Sequence, residues 1–303
     1  MASSVDPALL GRLNARRVLE MLHHHGPQSR ADVTRRAGVS APTVSKAVDS
    51  LLKSRLVEEG DAVPGTGLGR PAKVLRLASS SVRVLGVVLD AGSTSVVLSG
   101  LDARLEDRDV RVFPTPGTYR RLIDRVARMA EALIAERKAA ILGMGLSMPG
   151  LIDRKTGEGI LSPNLHLTDG RRPGHDLSAR LGIECVVRQE SHALCLAEWL
   201  WGAARGLNDF AMLDVSTGLG LGVWSGGRLL EGATGLAGEL GHVTVEPEGR
   251  PCGCGNVGCL ETVATDSALA RRVSERLRRT VSIDEAVRLF RSGRLQAHDG
   301  LRE

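Results

Sequence analysis

The sequence predicts an α/β body over residues 81–303, preceded by a winged helix-turn-helix module over residues 1–80. Three observations carry this expectation. From Val82 onward, apolar β-branched runs alternate with helical periodicity, the pattern of strands and helices packed with parallel pairing. Ahead of them lie three short helical patterns and a glycine-rich hairpin. Charge divides along the same line: residues 1–80 hold 12 Lys and Arg against 7 Asp and Glu, whereas the remainder holds 28 against 28. The whole net charge of +5 therefore sits in the first quarter of the chain. This asymmetry points to a polyanionic partner for the small module and an electrically neutral body.

The bulk composition sets limits. A chain of 303 residues fits two domains at about 150 residues each. With 42% hydrophobic but only 2% aromatic residues, the core is aliphatic. No run of about 18 apolar residues occurs, which excludes a transmembrane helix. An odd count of 5 cysteines, with no signal-peptide-like N-terminal run, indicates a reducing cytoplasm.

Taking the elements in order, apolar residues from Leu13 to Leu22 predict a first helix ending near Gly26-Pro27, with His23-His24-His25 forming a solvated polar end. Ser29 is placed to cap a second helix over Arg30 to Ala37, with Asp32 in the first turn where the dipole favours a carboxylate. Ser40 is placed to cap a third, running from Pro42 to Leu52. Val44, Ala47, Val48 and Leu51 face inward, leaving Thr43, Ser45, Lys46 and Asp49 outside. Short hydroxyls and a cation suit phosphates and base edges in a major groove. Ser40, Thr43, Ser45 and Lys46 are the candidate contacts to double-stranded operator DNA. Arg70, at the tip of the Gly65 to Pro71 hairpin, is placed to reach a minor groove or a phosphate.

In the body, Val82 to Leu89 and Val96 to Leu101 read as a hairpin, Tyr119 to Arg137 as a helix, and Ile141 to Gly150 as a buried strand running into a loop. Farther on, His242 is followed by Cys252, Cys254 and Cys259. One imidazole and three thiolates complete a tetrahedron around Zn²⁺ with no position left for water, so the expected site is structural. Gly253, Gly255 and Gly258 can supply the positive φ that a tight loop around a metal needs.

The segment Gly235-Leu-Ala-Gly-Glu-Leu-Gly-His242, followed by Cys252-x-Cys254-x₄-Cys259-x-Glu261, resembles the signature of the ROK family of sugar kinases and sugar-responsive repressors. The resemblance extends to Pro149-Gly150, Ser162 to Leu165, Ala197-Glu198, Gly202 to Gly206 and the glycine-rich Ser216 to Gly222. It implies an actin-like ATPase fold of two α/β lobes around a cleft. The preceding winged helix places the chain with the repressors, cytoplasmic regulators of carbohydrate metabolism that act as homodimers or homotetramers.

The resemblance assigns sugar contacts to Asn164, Glu239, His242 and Glu261, and makes the zinc a brace for the pocket and the coupling element to DNA. Where family kinases carry an Asn-Asp pair that binds the sugar and whose Asp is the catalytic base, this chain has Gln189-Glu190, which the resemblance adds to the sugar contacts. The extra methylene displaces the carboxylate by about 1 Å, enough to cost a reaction much of its rate. His192, two residues on, either meets ligand or fills space. The Asp-x-Gly-Gly-Thr phosphate loop is altered between Val88 and Ser93: either Val88 takes the position of the acid, or Asp90 is the acid and Ser93 replaces the second glycine. The family also continues beyond Glu303, so the resemblance implies a C-terminally shortened domain with weakened ATP binding. The expected protein is a non-enzymatic, sugar-sensing repressor; the alternative is an ATP-dependent sugar kinase of the hexokinase or glucokinase type.

Overall fold

The computed structural model describes residues 6–60 and 73–295. The basic module contains helix α1 (Pro7–His25), strand β1 (Gln28–Ser29), helices α2 (Arg30–Ala37) and α3 (Ala41–Lys53), and strands β2 (Val57–Gly60) and β3 (Val74–Leu77). Ser29 accepts from the Asp32 amide at 3.2 Å while Asp32 accepts from the Ser29 amide at 3.2 Å, a reciprocal cap that starts α2. Gly38 at φ 63° ends it, leaving a short turn into α3. Ser40 does stand at the N-cap of α3, but its hydroxyl meets Thr43 Oγ1 at 2.8 Å and caps no backbone amide. Strand β1, which was not anticipated, pairs Gln28 with Leu75 and makes the wing a three-stranded antiparallel sheet in the order β1-β3-β2. Val18, Leu22, Val33, Val44, Val48, Leu51, Val57 and Leu75 form its aliphatic core.

The first lobe of the body is a five-stranded sheet in the order β10-β7-β4-β5-β6, built from β4 (Val82–Val88), β5 (Ser93–Gly100), β6 (Val110–Pro114), β7 (Ala140–Met148) and β10 (Cys185–Gln189). β4 and β5 form the expected antiparallel hairpin, and β4, β7 and β10 run parallel. Helix α4 (Tyr119–Arg137) buries Leu122, Ile123, Val126, Ala127, Ala130 and Leu133, its one apolar stripe, in this lobe. A small hairpin of β8 (Leu151–Ile152) and β9 (Gly159–Leu161) and helix α5 (Pro173–Leu181) carry the chain from β7 to β10. Asp109 is 2% exposed, between Arg83 Nη1 at 3.0 Å and Arg137 Nη2 at 2.5 Å, which satisfies its buried charge.

Helix α6 (Glu190–Trp201) leads to the second lobe, an antiparallel sheet β11 (Phe210–Val215), β12 (Leu219–Ser225) and β13 (Arg228–Leu229), followed by α7 (Asp266–Leu277) and α8 (Ile283–Arg291). The glycine-rich run Ser216 to Gly222 is largely strand: only Ser216 to Gly218 turn, while Gly220 and Gly222 lie in β12 beneath α6. A Cβ on Gly222 would stand 2.5 Å from Cys195 Cβ and 2.6 Å from Ser191 O, so the glycine is what allows helix and strand to touch. Among the described residues, no helix is long and apolar enough to cross a membrane.

Candidate functional site

Because β4, β7 and β10 are parallel, their carboxyl ends meet on one edge, the usual site of a ligand crevice in such a sheet. Asp90 follows β4, Pro149-Gly150 follows β7, and Gln189 ends β10, with Glu190 and Ser191 opening α6 immediately after it. The turn Ser216 to Gly218 and Asp214 face them from the second lobe, and these groups line one cavity with Asn164, Glu239, His242 and Glu261. All six predicted sugar contacts, Asn164, Gln189, Glu190, Glu239, His242 and Glu261, are thereby brought together. A side chain on Gly218 would place Cβ 3.0 Å from Glu261 Oε2 and 3.1 Å from Asn164 Nδ2, so the turn must be bare for those groups to approach. Gln189 Nε2 donates to Glu239 Oε1 at 2.9 Å, and Leu219 N donates to Glu261 Oε2 at 3.0 Å. Gln189 Oε1 is shielded from solvent with no hydrogen-bond partner among the described residues.

Five carboxylates line this cavity, and no Lys or Arg among the described residues does. Burial, then Asp214 and Asp90, push Glu190 up to about 7. Asp214 is raised in turn by burial and by Asp266 and Asp90. Sequence reasoning missed Asp214; its place as the last polar residue of β11 before the glycine turn is the signal that could have found it. Of the two loop alignments left open, the geometry favours Asp90: Val88 ends β4 with 39% exposure, whereas Asp90 faces the cavity. Thr94 is fully buried and meets Thr115 Oγ1 at 2.9 Å, while Thr115 donates to Asp90 O at 2.6 Å, so this pair braces the loop. His192 is 4% exposed, its Nε2 stands 3.2 Å from Ala237 O, and it lines a neighbouring cavity with Arg188 and Glu231 in place of this one.

His242, Cys252, Cys254 and Cys259 place their ligand atoms within 4.8 Å of one another. Cys252 Sγ lies 3.6 Å from His242 Nδ1, and Cys254 Sγ lies 3.8 Å from Cys259 Sγ. Tetrahedral bonds of about 2.3 Å to sulfur and 2.0 Å to nitrogen give edges of about 3.6–3.8 Å, so the cluster can hold a metal ion of that type. Burial pushes the Cys252 thiol up to about 12 and raises Cys259, so thiolates form here when a cation compensates them. The opposite nitrogen, His242 Nε2, lies 3.7 Å from Glu239 Oε2, beyond hydrogen-bond distance but close enough to make the metal ligand a neighbour of a cavity carboxylate. Glu239 and His242 share one side because Leu240 to His242 form a single 3₁₀ turn. The cluster and the cavity therefore meet at one side chain.

In the basic module, Ser40, Thr43, Ser45 and Lys46 lie along the first two turns of α3, with Lys46 exposed. Asp49 leaves that set, because it pairs with Arg30 Nη1 at 2.8 Å. Arg70 lies outside the described residues. The histidine triplet is also corrected: His23 and His24 pack edge-on against Trp201 and Trp199, with ring centroids 5.6 and 5.8 Å apart. Only His25 remains exposed.

Residues 12–65 match the MarR family and residues 86–303 match the ROK family. The DNA-binding transcriptional dual regulator NagC of Escherichia coli K12 is 28% identical over 269 residues, which are 88% of this chain and 65% of that protein. The chain thus spans less than two thirds of that relative. A solved ROK transcriptional regulator, a homologue of the E. coli Mlc protein, superposes with a TM-score of 0.71 at 25% identity, covering 89% of this chain and 68% of that one. The ROK hexokinase of Thermus thermophilus is more identical, 34%, but covers only 70% of each chain with a TM-score of 0.57. With residues 86–303, well over half of the chain, matching the ROK family behind a helix-turn-helix module, this chain belongs to the ROK family.

Proposed function

We propose that the protein is a cytoplasmic transcriptional regulator, a repressor of carbohydrate metabolism that responds to a sugar or sugar derivative held in a catalytically inactive kinase-like cleft. The observation that carries this reading is the convergence of Asn164, Gln189, Glu190, Glu239, His242 and Glu261 on one cavity, in a chain whose α3 presents Thr43, Ser45 and Lys46. Carboxylates accept hydrogen bonds from neighbouring hydroxyls of a hexose ring, and the free acceptor of Gln189 adds a further one. Residues 1–80 form the DNA-binding domain, with α3 in the major groove and Arg70 reaching a minor groove or phosphate, and residues 81–303 form the sensor. A homodimer or homotetramer would present paired modules to two operator half-sites. Zn²⁺ would fill the Cys-His cluster as a structural ion, holding His242 and through it Glu239 against the cavity.

Ligand changes DNA affinity only by its differential affinity for the two states of the protein. The test is a thermal-shift screen of zinc-loaded protein against sugars, sugar phosphates and ATP with Mg²⁺, where a ligand at about 100 times its dissociation constant stabilises by about 2.7 kcal/mol. A shift with a sugar and none with ATP supports the sensor. The kinase reading has one observation in its favour, the carboxylates Asp90 and Glu190 facing the same cavity. Against it stand Glu190 and Gln189 where the family's kinases carry Asp and Asn. Release of ADP in a coupled assay across a hexose panel would overturn the repressor-only reading.

A further inference from the structure

The cleft and the DNA-binding module are joined by one helix. Glu190 and Ser191 at the first turn of α6 line the cavity, and Trp199 and Trp201 in its last turn pack on His24 and His23 of α1. The 12 residues between those ends span roughly 18 Å at about 1.5 Å per residue. Just beyond the helix, Arg205 Nη2 donates to His24 O at 2.8 Å and His23 O at 3.3 Å. These are final carbonyls of α1, which have no partner within their own helix and attract a cation. The helix is held as a rigid body: Gly220 and Gly222 admit it against β12, Cys195 is fully buried, and Trp199 stacks on Trp224 at 4.4 Å.

The module meets the body at a second place, along the chain connection. Glu58 of β2 gathers the Ser79, Ser80 and Ser81 amides at 3.3, 3.3 and 3.0 Å, and Leu101 N donates to Ala78 O at 2.7 Å. Between the two attachments lies an open cleft of about 560 Å³ lined by His25, Pro27, Arg76, Asp102 and Arg104 among others. A module fixed at its covalent connection, resting elsewhere on aromatic edges and one arginine, can pivot about the former when the latter releases. Its α1 packs directly on α3 through the core that contains Val18, Leu22, Val44 and Val48. Displacement of α1 therefore carries the DNA-contacting helix with it.

We propose that α6 transmits occupancy of the cleft to the DNA-binding module, and that Trp201 and Arg205 are the positioning residues through which it does so. This rests on the regulator reading above. It assigns the coupling to α6, alongside the bracing by the metal-held segment. Trp201 is 50% exposed and Arg205 lies on the surface, so replacing them leaves both cores intact.

The test uses the full chain loaded with zinc, a duplex selected by the wild-type protein from a random library, and whichever of D-glucose, D-xylose and N-acetyl-D-glucosamine gives the largest thermal shift. Three quantities are measured for wild type, Trp201→Ala, Arg205→Ala and Arg205→Lys: the Kd for the sugar, the Kd for the duplex, and the ratio of duplex Kd values with and without saturating sugar. In wild type, the ratio is expected in the usual allosteric range of about 5–150-fold. In the two alanine variants both separate Kd values for the free protein stay within about threefold of wild type while the ratio falls below about twofold. Arg205→Lys, which keeps a cationic donor for the α1 carbonyls, restores part of it. Alanine variants that keep the wild-type ratio overturn the proposal. A wild-type protein that binds none of these sugars, or selects no duplex, overturns the regulator reading instead and the coupling with it.

Discussion

Glu190→Gln isolates the electrostatic burden of the cleft. Burial and the facing Asp214 and Asp90 raise the Glu190 carboxyl from its ordinary 4.5 to about 7. The folded protein thus holds this proton to higher pH than the unfolded chain does. Between about pH 4.5 and 7 the folded state binds more protons, so the contribution of Glu190 to stability falls as pH rises and is fully unfavourable above about 7. The displacement corresponds to about 3 kcal/mol, which partial solvent access screens to about 1–2 kcal/mol. Glutamine has nearly the shape of the protonated acid and carries no titrating proton. The variant should match wild type near pH 4.5 and exceed it by about 1–2 kcal/mol at pH 8.5. Urea unfolding followed by tryptophan fluorescence is the assay, since Trp199, Trp201 and Trp224 all lie on α6 or on β12 beneath it. A stability difference that does not change with pH, or a wild type that is the more stable at pH 8.5, would refute the reasoning.

Four further outcomes are expected. Cys254→Ser should reduce the zinc content measured by elemental analysis, lower the melting temperature and weaken the response to sugar; unchanged metal content and melting would contradict the metal assignment. Gly238→Ala should destabilise by about 2–3 kcal/mol or more in urea unfolding, because its φ is +94° and the new Cβ would stand 2.0 Å from Leu221 O. Gly117→Ala, with open space around it, should stay within about 0.5 kcal/mol. Lys46→Ala should reduce the slope of log K against log salt for duplex binding by about 0.9 if the lysine meets a phosphate, whereas an unchanged slope and affinity would remove Lys46 from the interface.

Much of the molecule was legible because its signals are local. The Ser29–Asp32 cap, Gly38, the inward stripe of α3 and the bounds of α4 follow from spacing and capping chemistry within a few residues. The Cys-His set was legible for a similar reason, since tetrahedral ligation demands particular residue types and Gly255 and Gly258, at φ 93° and 69°, turn the loop as expected, although Gly253 does not take a positive φ. Charge placement likewise separated the basic module from the neutral body before any contact was known.

What tertiary structure decided were the meetings between distant segments, for which periodicity carries no information. Parallel pairing of β4, β7 and β10 brought Asp90, Gln189 and Glu190 to one edge, where Asp90 and not Val88 lines the cavity. The same packing put Asp214 opposite Glu190 and raised both carboxyls, an effect of distance and burial that neither residue displays alone. It also turned His23 and His24 from a solvated helix end into a contact with Trp199, Trp201 and Arg205. Sequence by itself determined which elements form and which chemistry they carry, because capping, amphipathic spacing and ligand type act within a few residues. Only the fold decided which of those groups face one another, because burial and electrostatic coupling arise between surfaces that the chain brings together from far apart.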